Sequence, residues 1–240
     1  MTGYVATIGM FDGVHLGHQF VLHHVVETAR EQGLQSMAIT FDQTMHRDQV
    51  LTPLNAKRLL LSKTGIERIE VKSLPPTPSK GRGRTISSSF IRQLLTEGHV
   101  GKASEGLGYP YTILGRVEHG EHIGTKLGFP TANLVPVDEK QLIPAAGAYA
   151  VKVRMENCVE WKHGMMNIGM RPTFNGHKRT LEVHLFRLNE DLYGQQLLVS
   201  FVERLREEQR FDSVEALISQ LRQDAVLAEQ ILNQDSDRII

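Results

Sequence analysis

The chain has 240 residues, and its 27 Lys+Arg balance 27 Asp+Glu, so the formal net charge is zero. Hydrophobic residues at 40% and charged residues at 22% are ordinary for a globular protein and argue against disorder. No apolar run approaches the roughly 20 residues that span a bilayer, and the N-terminus lacks a basic-then-apolar leader. Neutral charge gives no support to a nucleic-acid or anionic-membrane partner. The single Cys158 cannot form an internal disulfide, and no paired cysteine spacing offers a structural zinc site. A soluble, cytoplasmic protein of one or two domains is the expectation.

The first half has α/β patterning. Tyr4–Ile8 is a short apolar run that predicts a strand, followed by the turn-rich Gly9-Met10-Phe11-Asp12-Gly13. Leu22, Val25, Val26 and Ala29 recur at the spacing of one helix face, and Gly33 supplies a stop. Met37–Phe41 predicts the next strand. A helix over Asn55–Thr64, with Gly65 behind it, and a strand over Ile66–Val71 follow. Strands alternating with helices predict a parallel sheet. Three prolines and two glycines between Pro75 and Arg84 forbid regular structure there. A short helix over Ser88–Glu97 then ends at Gly98.

The second half changes to strand chemistry. Tyr149–Met155, Met165–Ile168, Thr180–Phe186 and Leu197–Val202 are separated by Gly, Pro and Asn turns. Leu181, Val183 and Leu185 alternate with Thr180, Glu182 and His184, so one face is apolar and the other polar. Short strands at this spacing predict a compact β-barrel. A helix over Ser213–Leu232 closes the chain, with Leu217, Leu221, Ala225 and Ala228 as its buried stripe and Ser213 as N-cap.

Two constellations carry chemistry. His15-Leu16-Gly17-His18 follows a predicted strand and loop and opens a helix, whose N-terminal amides form a ready anion site. Histidines three apart at such an end share a face and can both donate to a phosphate. Alone, the pair reads more readily as surface or capping histidines, and the strand–loop–helix context is what favours the phosphate reading. The second constellation is Leu127-Gly128-Phe129-Pro130-Thr131-Ala132-Asn133-Leu134. If extended, it points Thr131 and Asn133 the same way, so a hydroxyl and an amide could meet one Mg²⁺ and its phosphates. It stands downstream of Gly115-Arg116-Val117-Glu118-His119-Gly120 and Gly124-Thr125-Lys126, which is not a Walker loop. A plain strand end is the alternative.

Both strings resemble known families. Gly9–His18 is similar to the signature of the bacterial flavin adenylyltransferases, within the nucleotidyltransferase superfamily, and Ile86-Ser87-Ser88-Ser89-Phe90-Ile91-Arg92 resembles that superfamily's second phosphate motif. The resemblance implies that His15 and His18 stabilise charge on the ATP α-phosphate while the FMN phosphate attacks it. It implies that Gly9, Phe11, Ser88, Ser89 and Arg92 bind the nucleotide. Leu127–Asn133 and the preceding Gly115–Gly120 resemble the flavokinase signature. Asn167-Ile168-Gly169-Met170-Arg171-Pro172-Thr173-Phe174, Leu181-Glu182-Val183-His184-Leu185 and Arg210-Phe211-Asp212-Ser213 resemble further motifs of that family. This implies Mg²⁺–ATP on Thr131 and Asn133, with Gly120 and Lys126 facing phosphate. It also implies Glu182 as general base on the riboflavin 5′-hydroxyl, and Asn167, Arg210 and Phe211 against the flavin.

The chain is therefore identified as a member of the bacterial bifunctional riboflavin kinase/FAD synthetase family. A Rossmann-like nucleotidyltransferase domain is expected over 1–107 and a flavokinase β-barrel with a terminal helix over 108–240. The small-molecule partners implied are riboflavin, FMN and ATP. Two departures stand out. The family's T-F-x-P-H-P string reads Thr40-Phe41-Asp42-Gln43-Thr44-Met45-His46-Arg47. The interval Lys72–Thr85 is 14 residues, where the family has several tens, including a strand and a ligand-binding loop. A natural deletion, an engineered one or an unwritten segment would each explain it. If the shortening is genuine, the N-terminal domain is incomplete and FAD formation is expected to be weak or lost. The alternatives are then a monofunctional riboflavin kinase, or a flavin- or nucleotide-binding regulator.

Overall fold

The computed structural model describes residues 3–42, 49–73, 86–120, 124, 127–156, 158–173, 176–188 and 190–234. The Pro/Gly/basic run from Pro75 to Arg84, the His46-Arg47 pair and Lys126 lie outside these residues. The chain divides into two compact units. One comprises Met1–Gln93, Gly106–Gly108 and Lys140–Leu142, and the other Leu94–Glu105, Tyr109–Glu139 and Ile143–Ile240.

In the first unit, β1 (Tyr4–Ile8), α1 (Leu16–Gln32), β2 (Gln35–Asp42), α2 (Leu54–Lys63) and β3 (Arg68–Ser73) alternate as the patterning predicts. The described strands form a parallel sheet in the order β1-β2-β3, with Ala6 opposite Met37 and Ile39 opposite Glu70. Leu22, Val25 and Ala29 are buried on α1, and Gly33, at φ 62° in the left-handed region, ends the helix. Phe11, Val14, Leu22, Val25, Ala38, Leu61 and Ile66 form the core beneath the sheet.

Helix α3 (Ser88–Thr96) was expected; α4 (Val100–Leu107) was not. Its two glycines, Gly101 and Gly106, lower helix propensity by about 1 kcal/mol each. Tertiary burial outweighs that cost, because Val100, Ala103 and Leu107 are fully buried at helical spacing. Gly106 also has a steric reason: a Cβ there would fall 2.6 Å from Ile91 Cδ1 on α3.

The second unit holds a closed barrel of six strands, in the order β4-β5-β8-β7-β6-β9 with every pair antiparallel. The strands are β4 (Thr112–Glu118), β5 (Ala132–Pro136), β6 (Gly147–Met155), β7 (Lys162–Thr173), β8 (Gly176–Leu185) and β9 (Gln196–Glu207). Closure pairs every edge. Leu181, Val183 and Leu185 are buried on β8 while Glu182 and His184 are not, as the alternation predicts. β4 went unpredicted because Gly115, Arg116 and Glu118 dilute its apolar content; Ile113 and Val117 supply the buried face.

Helix α5 (Val214–Gln234) packs against β6, β7 and β9. Ser213 caps it, its Oγ accepting the Ala216 N–H at 3.1 Å. Ala228, Leu232, Leu221 and Ala225 lie against Ala150 and Met165. Asp224 is also buried on this helix, where its carboxylate accepts two hydrogen bonds from Arg206 Nε of β9, at 2.9 and 3.2 Å.

Candidate active sites

The first candidate site is built on the loop after β1. Gly9 N–H donates to Ile39 O of β2 at 3.0 Å, which starts the loop in line with the sheet. Asp12 is fully buried, and its Oδ1 accepts the N–H groups of Leu51 and Thr52 at 3.0 and 3.2 Å. Its Oδ2 accepts from the Arg92 guanidinium of α3, and its main-chain oxygen accepts from Ser88 Oγ at 2.8 Å. One aspartate thus fastens the loop to the first turns of α3. Ser89 is exposed at the start of that helix.

His15 caps α1, its Nδ1 accepting the His18 N–H at 3.4 Å, so neutral His15 carries its proton on Nε2. The two imidazoles stack with centroids 3.6 Å apart and planes 19° apart. Phe11 is buried, and its ring meets His18 edge-on at 5.3 Å. Burial pushes the His18 pKa down to about 3, helped by the neighbouring His15 and Lys57 charges. Burial also lowers His15, against the pull of Asp12. Both rings are therefore neutral at pH 7 and present N–H donors at a helix N-terminus. Among the described residues, the buried His18 Nδ1 has no hydrogen-bond partner.

Lys57 was not singled out from the sequence. It occupies the inward face of α2 with 1% exposure, and its Nζ donates to Met10 O and Phe41 O at 3.1 and 3.0 Å. Those carbonyls follow or end adjacent parallel strands, so the ammonium ties together the rim where α/β sheets bind ligands. The available signal was a lysine four residues before the buried Leu61, where an amphipathic helix calls for an apolar side chain.

The second candidate site lies on the barrel's outer face. Strand register puts Asn133 opposite Glu182, Glu182 opposite Asn167, Asn167 opposite Ala148, and Ala148 opposite Arg206. Paired residues project to the same side of a sheet, so β5, β8, β7, β6 and β9 share one row. Three residues far apart in sequence, Asn133, Glu182 and Asn167, are thereby brought side by side. Thr131 Oγ1 donates to Glu182 Oε2 at 3.4 Å. Gly120 lies against the same amide: a Cβ there would fall 1.8 Å from Asn133 Nδ2. Arg206, held by Asp224, has its guanidinium 5.6 Å from the Phe211 ring centroid. Arg210 is exposed beside it.

The donors of Thr131, Asn133 and Glu182 are all oxygens apart from the amide nitrogen, which suits a hard cation such as Mg²⁺ shared with phosphates. Among the described residues no cluster of three or more His, Cys, Asp or Glu forms a metal cage.

The fold comprises a parallel α/β unit and a unit with a closed barrel and a docked helix. The Riboflavin kinase family model matches residues 107–232 and the FAD synthetase model matches residues 1–142. This chain belongs to the bifunctional riboflavin kinase/FMN adenylyltransferase family. The enzyme of that name from Listeria monocytogenes is 33% identical over 284 aligned residues, covering 92% of this chain and 90% of the relative. The one from Haemophilus influenzae is 31% identical over 297, covering 97% and 96%. Both alignments are longer than the 240 residues of this chain, so each relative carries residues without a counterpart here. A crystal structure described as a macrolide-efflux protein from Streptococcus pneumoniae superposes with a TM-score of 0.82 at 27% identity, covering 95% of this chain and 94% of that one. No helix among the described residues is long and apolar enough to cross a membrane.

Proposed function

We propose that residues 108–240 phosphorylate riboflavin to FMN with ATP and that residues 1–107 adenylylate FMN to FAD. The observation that carries the first half is the registered row of Asn133, Glu182 and Asn167 with Thr131 against the carboxylate. Glu182 takes the proton of the riboflavin 5′-hydroxyl as its oxygen attacks the γ-phosphorus of ATP and ADP leaves. Thr131 and Asn133 hold Mg²⁺–ATP, with Gly120 and Lys126 toward the phosphates. Bound Mg²⁺ supplies neutralisation of phosphate charge. Asn167, Phe211 and Arg210 orient the flavin, Phe211 being backed by Arg206.

In the N-terminal unit, an FMN phosphate oxygen attacks the α-phosphorus of ATP and pyrophosphate departs. The unpartnered His18 Nδ1 and the neutral His15–His18 stack at the α1 N-terminus support an anion there. Neutral rings donate to the oxyanion as charge builds, and the arriving phosphate favours their protonation. Gly9 and Phe11 shape the loop beneath them, and Ser88, Ser89 and Arg92 receive the triphosphate.

A second reading, a riboflavin kinase with a weakened adenylyltransferase unit, draws on the three described strands of the parallel sheet and the greater length of the relatives. Purified chain supplied with riboflavin and ATP, and separately with FMN and ATP, distinguishes the two by chromatography of the flavins. FMN followed by FAD supports the bifunctional reading. FMN alone supports the second, and neither product removes both.

A further inference from the structure

Beyond the residues assigned above, β8 carries a second polar side chain on the face of Glu182. His184 follows the carboxylate by two residues, so both project from the same side of the strand. Its Nδ1 lies 2.7 Å from the main-chain oxygen of Pro130. A carbonyl only accepts, so Nδ1 bears the hydrogen, in the neutral ring and in the imidazolium alike. Pro130 immediately precedes Thr131, whose hydroxyl reaches Glu182. The ring is further held edge-on between Phe129 and Phe186, at 5.4 and 5.7 Å. β5 itself pairs with β8 at only Ala132–Val183 and Asn133–Glu182. A proline cannot donate to a ladder, and Pro130 stands just beyond that short pairing, so the His184 bond extends it where the backbone does not.

We propose that His184 is a positioning residue for the phosphoryl-transfer step: its Nδ1–H clasps the Pro130 carbonyl and so sets Thr131 against Glu182. The inference rests on the kinase reading of the Thr131–Asn133 segment. It predicts a selective defect. Losing one hydrogen bond that orders the nucleotide segment weakens ATP use by about tenfold, while flavin contacts on β7 and beyond β9 stay as they were.

The test compares H184A with H184N, whose carboxamide nitrogen takes the place of Nδ1. FMN formation yields KM for ATP and for riboflavin, and quenching of flavin fluorescence yields riboflavin affinity without ATP. H184A should raise KM for ATP about tenfold and leave riboflavin affinity within about twofold. H184N should recover most of the loss. In the wild-type chain, long-range ¹H–¹⁵N spectra should give an Nδ1-protonated ring. Unchanged KM for ATP in H184A, equal loss of both substrates, H184N failing as badly as H184A, or an Nε2-only tautomer would each overturn the proposal. Should H184A not fold, the H184N kinetics and the tautomer spectrum decide. A wild-type chain that makes no FMN defeats the kinase reading instead, and the tautomer still reports on the clasp.

Discussion

Arg92 on α3 donates to the buried carboxylate of Asp12 in the loop after β1. The two residues stand 80 positions apart in the chain, and the pair joins the two sequence motifs that resemble nucleotidyltransferase phosphate motifs. Asp12 also holds Leu51 and Thr52, so its carboxylate organises three segments at once. Breaking a buried pair by removing one partner leaves desolvated groups behind. D12A should therefore destabilise the N-terminal unit by about 3 kcal/mol. It should also abolish FAD formation while FMN formation survives, as urea unfolding and flavin chromatography would register. Equal stability with intact FAD formation would contradict this role.

Substituting the stacked histidines tests their proposed part in FAD formation alone. H15A/H18A should eliminate conversion of FMN to FAD, with a loss of at least about 100-fold, and leave riboflavin phosphorylation within about twofold. A parallel fall in both activities would mean the pair serves folding rather than nucleotidyl transfer.

Substituting Glu182 tests the proposed general base. Glutamine preserves shape and hydrogen bonding but cannot take a proton, so E182Q should lower FMN formation by about 10²–10⁴-fold. Riboflavin affinity by fluorescence quenching should stay close to wild type. Undiminished turnover would remove Glu182 as the base.

His18 links stability to pH. Its folded pKa of about 3 lies well below the ordinary imidazole value of 6.5, so the unfolded chain binds a proton that the folded chain refuses. The stability this represents is fully present above about pH 6.5 and is lost progressively as pH falls toward 3. His15, shifted the same way, adds to the trend. Melting temperature should drop between pH 7.5 and 5, and H18Q should flatten the slope. An identical slope in H18Q would refute the assignment.

Asp224 seats α5 on the barrel. D224A strips Arg206, 13% exposed at its side chain, of a carboxylate that also accepts from Gln220 at 2.8 Å. A loss of about 3–5 kcal/mol is expected, and adding R206M should recover part of it, since an apolar pair avoids the desolvation cost. A double-mutant cycle with no coupling would show that helix packing alone holds α5.

Local patterning made most elements legible. Period-2 alternation in Thr180–Phe186, the i, i+3, i+4, i+7 stripe of Leu22–Ala29, and Ser213 at the head of α5 each report a local preference. α4 and β4 escaped because Gly101, Gly106 and Gly115 are poor local formers, justified by what packs against them. The candidate sites were legible as motifs resembling family signatures, because such signatures keep particular side chains in sequence order. The partners of those side chains were not.

By itself, then, the sequence determined the α/β character of the first half and the strand-rich character of the second, and its single cysteine leaves no internal disulfide. Those properties follow from composition and local periodicity, whereas the groups expected to meet phosphate and flavin came from resemblance to family motifs. Only the tertiary structure decided that Glu182 stands between Asn133 and Asn167, that Asp12 rather than solvent holds Arg92, and that Lys57 is buried under the strand ends. Barrel closure and register set such neighbours over dozens of residues, and no local signal encodes a register whose energy is distributed over whole strands.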